Sequence, residues 1–278
     1  MSTAAASRHQ RPSLLGSDVS RFWNLVLTLA VTDFKLKYYG SVLGYVWTLA
    51  RPFLFFGVIY FVFTEIVGLD KNVPNYGVYI LFALVLFQFF GEVTGNCVAS
   101  LVSRESMLRK MRFPRLVIPL AVVLTALFNL GMTLIAVFIF AIVAGVGPAW
   151  SWLELPVIIL LLTFFATGIG LLLSALFVRY RDVQPIWDVT SQILFYASPI
   201  LYVATMVPES YQRAYLANPI SALLTEMRHA VVDPTARPVW DAIGGVERLL
   251  VPGGIVVAVF VLGLWVFRRE APRIAENL

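Results

Sequence analysis

Glu92 is an acid inside a long apolar run, in the stretch GEVTGN at 91–96. Ionisable groups at membrane depth are costly, and where they persist they face a cavity or a polar partner. Two readings stay open for Glu92. In one, the Gly91 and Gly95 pair lets helices approach closely while the polar side chains satisfy one another; in the other, the acid belongs to a transport pathway. A single acid with no base or second acid near it in sequence is thin support for proton coupling. Other reactive side chains are sparse. His9 sits in a polar N-terminal stretch and His229 in a distant loop, too far apart to share a metal ion. The single Cys97 cannot form an intrachain disulfide. HExxH, GxSxG and multi-cysteine clusters are missing from the sequence, and so is GxxxxGK[ST], since no Gly-Lys dipeptide occurs. These residues predict no catalytic centre, no metal site and no resident cofactor. If ATP drives this protein, another polypeptide must bind it.

Aromatic side chains supply the remaining binding chemistry, at 14% of the chain. Phe53, Phe56, Tyr60 and Phe63 advance by helical steps, and Phe195, Tyr196 and Tyr202 cluster around Pro199. Such stripes serve as core or as lipid-facing belts. They also suit a second use, because sugar rings have apolar C–H faces that stack on aromatic rings while scattered polar groups meet the hydroxyls.

The elements that must position these residues are membrane spans. A hydrocarbon core of about 30 Å takes roughly 20 apolar residues in a helix. Six stretches qualify: 52–69, 76–102, 116–146, 153–178, 186–204 and 250–267. With 59% hydrophobic and 13% charged residues the chain is not an ordinary water-soluble domain. The expected fold is all-α and integral to the membrane. Its parts are a polar tail at 1–19, an amphipathic interface helix at 20–40, a six-helix domain at 41–268 and a C-terminal tail at 269–278.

Fifteen of the 21 Lys and Arg residues fall on one side of these spans. They are Arg8, Arg11, Arg21, Lys35 and Lys37; Arg104, Arg109, Lys110, Arg112 and Arg115; Arg179 and Arg181; and Arg268, Arg269 and Arg273. By the positive-inside rule that side is cytoplasmic and holds both termini. The net charge of +5 needs no nucleic acid, since anionic lipid attracts bases in these places. No cleavable signal peptide is expected, because the first ten residues are polar and the apolar run 22–32 lacks a small-residue cleavage site. Phe22, Leu25, Val26 and Leu29 recur at helical spacing, which predicts a helix lying along the interface; a half-inserted seventh span is the alternative.

Two loops carry more than topology. The segment RESMLRKMRFPR at 104–115 is basic, with Met107, Leu108 and Met111 on one helical side and Pro114 as its stop. A solvated loop explains the charge, whereas the apolar stripe suits docking in a partner's groove. Arg179, Arg181 and Asp182 could form a second contact. On the opposite side, the long connection 205–249 contains Asn218 as a helix cap, Pro219 at the first position, and Ile220, Leu223, Leu224, Met227 and Val231 on one face. Asp233-Pro234 ends it. The segment is too short to span and is expected to be re-entrant or interfacial, as a gate or lid. Arg51, beside Pro52, is expected to snorkel at the cytoplasmic boundary.

Taken in order, several segments resemble the membrane subunit of ABC-2 class polysaccharide exporters, the family that moves O-antigen, teichoic-acid and galactan precursors. They are DFKLKYYGSVLGYVW at 33–47 followed by Arg51-Pro52, RFPR at 112–115, RYRD at 179–182 with Pro185, ASPILY at 197–202, and Asn218-Pro219 with Arg228. The match spans about residues 20–270, and its C-terminal part looks most like galactan-precursor permeases. Arg51 departs from the family, which has a less charged residue before the proline. The resemblance implies a homodimer with two copies of a separate ATPase that binds ATP and Mg, in a bacterial cytoplasmic membrane. It further implies a polyprenyl-diphosphate-linked glycan as substrate. Arg104, Leu108, Arg109, Lys110, Met111 and Arg112, with Arg179, Arg181 and Asp182, would couple to the ATPase. Lys35, Lys37, Tyr38, Tyr39 and Arg51 would form the cytoplasmic entrance. Phe53, Phe56, Tyr60, Phe63, Phe195, Tyr196 and Tyr202 would line the glycan path, and Asn218, Pro219, Leu223, Met227 and Arg228 the exit gate. A lipid or drug permease of the same class, and a membrane enzyme or assembly scaffold, remain as alternatives.

Overall fold

Pro52 does not begin the first span but lies inside it. The computed structural model describes residues 19–38, 42–69, 73–110 and 114–277, and the regular elements among them are all helical. Helix α1 (Val19–Tyr38) precedes α2 (Val42–Phe61), which continues as a π turn over Val62–Ile66. The apolar window is Leu49–Ile66, so Arg51 is an exposed residue within the helix rather than ahead of it.

Next come α3 (Tyr76–Ser100), the short α4 (Glu105–Lys110), α5 (Val117–Val143) and α6 (Leu155–Arg179). Helix α3 is apolar over most of its circumference, and 78% of its span is buried, as expected of a helix packed on several sides. It packs against α2, α5, α6 and α7 (Val183–Tyr196). Gly145, at φ +91°, follows the last turn of α5 in a conformation that a side chain would strain. Helix α1 buries Phe22, Val26 and Ala30, one stripe at four-residue spacing, against α5. There Thr125 Oγ1 donates to Ala30 O at 3.3 Å and Phe34 meets Phe128 edge-on at 5.8 Å. Leu25, expected on that face, points out and is exposed, because the face follows steps of four from Phe22.

The expected fifth span, 186–204, is not one helix. Helix α7 stops after 14 residues, a rise of about 21 Å against a core of about 30 Å. Five helices rather than six are therefore long and apolar enough to span, among the described residues. The physical reason is Pro199, which cannot donate to a helix and restricts Ser198 before it. The carbonyls freed by the break are taken by side chains of neighbouring helices. The single Tyr79 Oη proton is shared between Pro199 O and, at 3.0 Å, Tyr202 O; Tyr76 Oη donates to Leu201 O at 2.6 Å. Ser221 Oγ reaches Ala197 O at 3.4 Å and Asn218 Nδ2 reaches Ser198 Oγ at 3.2 Å. Irregular backbone at membrane depth is tolerable only when other protein groups satisfy it in this way.

Beyond the break lie α8 (Glu209–Leu216), α9 (Pro219–Met227), a π turn over Arg228–Val232, α10 (Val239–Ala242) and α11 (Leu250–Asn277). Asn218 caps α9 as its position predicts, its Oδ1 accepting from Ile220 N at 3.1 Å. Helix α11 runs on through the segment expected as a tail at 269–278, as far as Asn277. It packs closely on α6: a Cβ added at Gly263 would lie 2.0 Å from Gly168 O, so the two backbones touch.

Candidate functional site

Helix α3 loses its burial along a single line. Between 78 and 100 the residues that are exposed or half-buried are Gln88, Gly91, Glu92, Gly95, Asn96 and Ala99. Gln88, Glu92 and Asn96 recur every four residues, and Gly91, Gly95 and Ala99 do the same beside them, so all six share one face. The stripe is polar and small, inverted from what a lipid-facing surface would carry.

A cleft of about 500 Å³ opens over the Gln88 end of this stripe. Its far wall is α7, which presents Asp188, Ser191, Gln192, Phe195 and Tyr196, and Phe55 of α2 borders it. Helix α7 buries only Trp187, whose indole Nε1 donates to Thr94 Oγ1 at 3.2 Å. The Phe87 and Phe195 rings meet edge-on at 5.3 Å. Those two anchors turn the Asp188, Ser191 and Gln192 face towards Gln88. A side chain at Gly91 would meet nothing within 4 Å, so the small residue leaves the cleft open. Amide, hydroxyl and carboxylate groups between aromatic rings form a surface that can exchange hydrogen bonds with many hydroxyls.

Further along the stripe Glu92 is engaged. Its Oε1 accepts from Asn129 Nδ2 at 2.6 Å and pairs with Lys37 Nζ at 2.9 Å. The base lacking nearby in sequence thus arrives from α1. Arg104 at the end of α3 pairs with Asp33, one helical turn before Lys37. Two ion pairs of opposite polarity therefore fasten α1 to the polar line of α3 and to the loop beyond it.

The expected site residues divide among several places. Of the aromatic set, Phe195 and Tyr196 line the cleft, with Tyr196 61% exposed. Phe53 and Phe56 meet Phe140 edge-on at 6.3 and 5.4 Å, Tyr60 stacks on Phe56 at 5.5 Å, and Phe63 packs on the main core. Tyr202 donates to Tyr196 O at 2.9 Å and accepts from Tyr215 Oη at 3.2 Å, in the segment after α7. Of the entrance set, Lys35 is exposed and Lys37 reaches Glu92, while Tyr39 lies outside the described residues. Of the coupling set, Arg104 is tied to Asp33. Met111 and Arg112 lie outside the described residues; for Tyr38, Leu108, Arg109 and Lys110 only the helical backbone is described. Arg179, Arg181 and Asp182 form an exposed turn, where Arg179 lies over the Tyr180 ring at 5.2 Å and Arg181 over Phe177 at 4.9 Å. In the gate set, Pro219 and Met227 are buried, Leu223 is half-buried, and Arg228 Nη2 is 3.5 Å from Asp233 Oδ2.

Sequence reasoning missed Gln88, Asp188, Ser191 and Gln192. A signal existed: the spacings 88, 92, 96 and 188, 191, 192 are polar helical stripes inside apolar segments.

With this geometry in place, the chain can be classified. A model of the ABC-2 type transporter family matches residues 24–232, and the protein belongs to that family of membrane permeases. The chain is similar to the O-antigen export system permease protein RfbA of Klebsiella pneumoniae, 29% identical over 257 residues, which cover 92% of this chain and 95% of the relative. It is 30% identical to the RfbA of Myxococcus xanthus over 210 residues, 75% of this chain and 80% of the relative. The polysialic acid transport protein KpsM of Escherichia coli is 21% identical over 212 residues, 74% and 81% of the two chains.

Proposed function

We propose that this chain is the permease subunit of an ATP-driven exporter of a polysaccharide carried on a polyprenyl diphosphate. One observation carries the proposal: the exposed part of the central helix is a polar and small stripe that meets the polar, aromatic face of α7 across an open cleft. Polar surface at membrane depth needs water, a partner or a polar cargo. A hydroxyl-rich chain passing along side chains that bind it weakly satisfies that need without trapping the cargo. The names of the relatives support the substrate class, and the family supports an ABC ATPase as partner.

Two copies of the permease would close the open side of the cleft, since α2 beside it is only 11% buried within one chain. Two copies of the ATPase would hold ATP and Mg on the side of α4 and the Arg179–Asp182 turn. The distribution of bases supports that side as the cytoplasmic one, with both termini on it, and the reading takes the membrane to be a bacterial cytoplasmic membrane.

The test is Gln88→Leu combined with Gln192→Leu, expressed with the partner ATPase. Glycan export should slow at least severalfold at unchanged protein abundance. Export at the normal rate with both leucines present would reassign this surface to packing.

A further inference from the structure

At the Tyr76 end of the bundle, about 37 Å along α3 from the Arg104 end, lies a second cavity of about 480 Å³. It lies apart from the α7 cleft. Met206, Val207 and Leu216 give it apolar walls, and Gln212, Arg228 and Arg237 bring donors into it. Arg228 is a half-buried cation whose enclosed Nε has no acceptor. Its side chain is 13% exposed, its Nε is buried without a hydrogen-bond partner, and its Nη2 lies 3.5 Å from the carboxylate oxygen Asp233 Oδ2. Asp233 is also committed elsewhere, since its Oδ1 accepts from Thr235 N at 3.0 Å and Thr235 Oγ1 at 2.6 Å. The Tyr79 ring lies 6.0 Å from the guanidinium and supplies no formal charge. Arg237, exposed on the same cavity, has no ion-pair partner among the described residues. Glu209, the acid on the lining, is exposed and so is screened by water.

A buried guanidinium costs free energy until its donors are met. Two guanidinium groups in one cavity match the paired oxygens of a carboxylate or phosphate better than the single oxygen of a neutral hydroxyl. The volume falls in the range of small-ligand pockets.

We propose that this cavity is a binding site for a carboxylate- or phosphate-bearing group of about one sugar unit, with Arg228 and Arg237 as its anchors. Only the carrier of that group rests on the export reading. On that reading, the anion is an acidic residue of the exported glycan meeting the permease at the end of its route. A lipid headgroup offers the same chemistry, and the experiment separates the two.

The full chain is reconstituted in phosphatidylcholine nanodiscs and titrated calorimetrically with glucuronate, inorganic phosphate and, as the neutral control, glucose. Saturable binding of glucuronate or phosphate but not glucose is expected, weakened at least tenfold by Arg237→Gln and by Arg228→Gln. Arg237 is exposed, so its variant stays informative even where Arg228→Gln fails to fold. Discs containing phosphatidylglycerol show the source: suppressed binding assigns the site to a lipid headgroup, and unchanged binding assigns it to a soluble or glycan-borne acid. No saturable anion binding in phosphatidylcholine, equal binding of glucose, or unchanged affinity in Arg237→Gln overturns the site. Anion binding by a chain that fails to export glycan would leave the site standing and remove the export reading; export without anion binding would do the reverse.

Discussion

The Lys37 and Glu92 pair joins residues 55 apart and places a charge-neutral link where the stripe of α3 meets the interface helix. Lys37 is 44% exposed, so the pair contributes no more than about 1 kcal/mol to stability, and its larger role is to hold α1 in register with α3. Lys37→Glu should therefore lower transport-stimulated ATP hydrolysis severalfold with little change in melting temperature, and Lys37→Glu with Glu92→Lys should recover it. Failure of the exchanged pair to recover activity would remove the link. Glu226, in α9, gives a pH prediction. Burial raises its pKa, and although Val239 N donates to its Oε2 at 2.8 Å and His229 lies near, Glu154 adds to the rise. An acid raised by folding is disfavoured in its charged form, so it subtracts stability above its folded pKa and none below its unfolded one. Glu226→Gln should raise the melting temperature near neutral pH, with the difference vanishing below about pH 4. A difference that grows on acidification would contradict this.

At the scale of elements, the break after α7 decides the most. A helix continued to 204 would carry the polar face of α7 past the cleft. The stop at Tyr196 instead turns the chain back into α3, where Tyr76 and Tyr79 receive it. Tyr79→Phe removes the one proton shared by the Pro199 and Tyr202 carbonyls, at a cost of about 1–3 kcal/mol. The expected result is a lower melting temperature in detergent, with faster proteolysis of the 197–207 segment. An unchanged melting temperature would show that the break is held by something else. The break was half legible in sequence. Pro199 announces an interruption, but the apolar run from 186 to 204 has a spanning length, and only the tyrosines of a helix more than a hundred residues earlier make the interruption affordable.

At the scale of the molecule, α3 is a hub whose two ends meet different machinery. One end carries Arg104, α4 and the bonds to α1; the other carries the tyrosine clamp and the Arg228 cavity. Movement of α4 would therefore shift α1 and α3 together, a rigid-body response of the kind such switches use. Leu108→Asp, in α4, should uncouple ATP hydrolysis from export while membrane insertion persists. Retained copurification with the ATPase and normal export would remove the coupling role. The low burial of α2 and α11, 11% and 17% of their spans, leaves broad apolar faces for lipid or a second copy.

The sequence alone determined the helical class, the membrane, the end of the bundle that gathers the bases, the capped helix after Asn218 and the absence of a GxxxxGK[ST] motif. These are local properties: composition, period and turn chemistry act over a few residues. Tertiary structure decided which aromatics are core and which line a cleft, because a helix from Phe53 to Phe63 has the same period whether it faces Phe140 or a glycan. It also decided the partners of Glu92, the fate of the fifth apolar run and the meeting of Gln88 with Gln192. Each of those depends on contacts between segments distant in the chain, where spacing carries no information about which helices become neighbours.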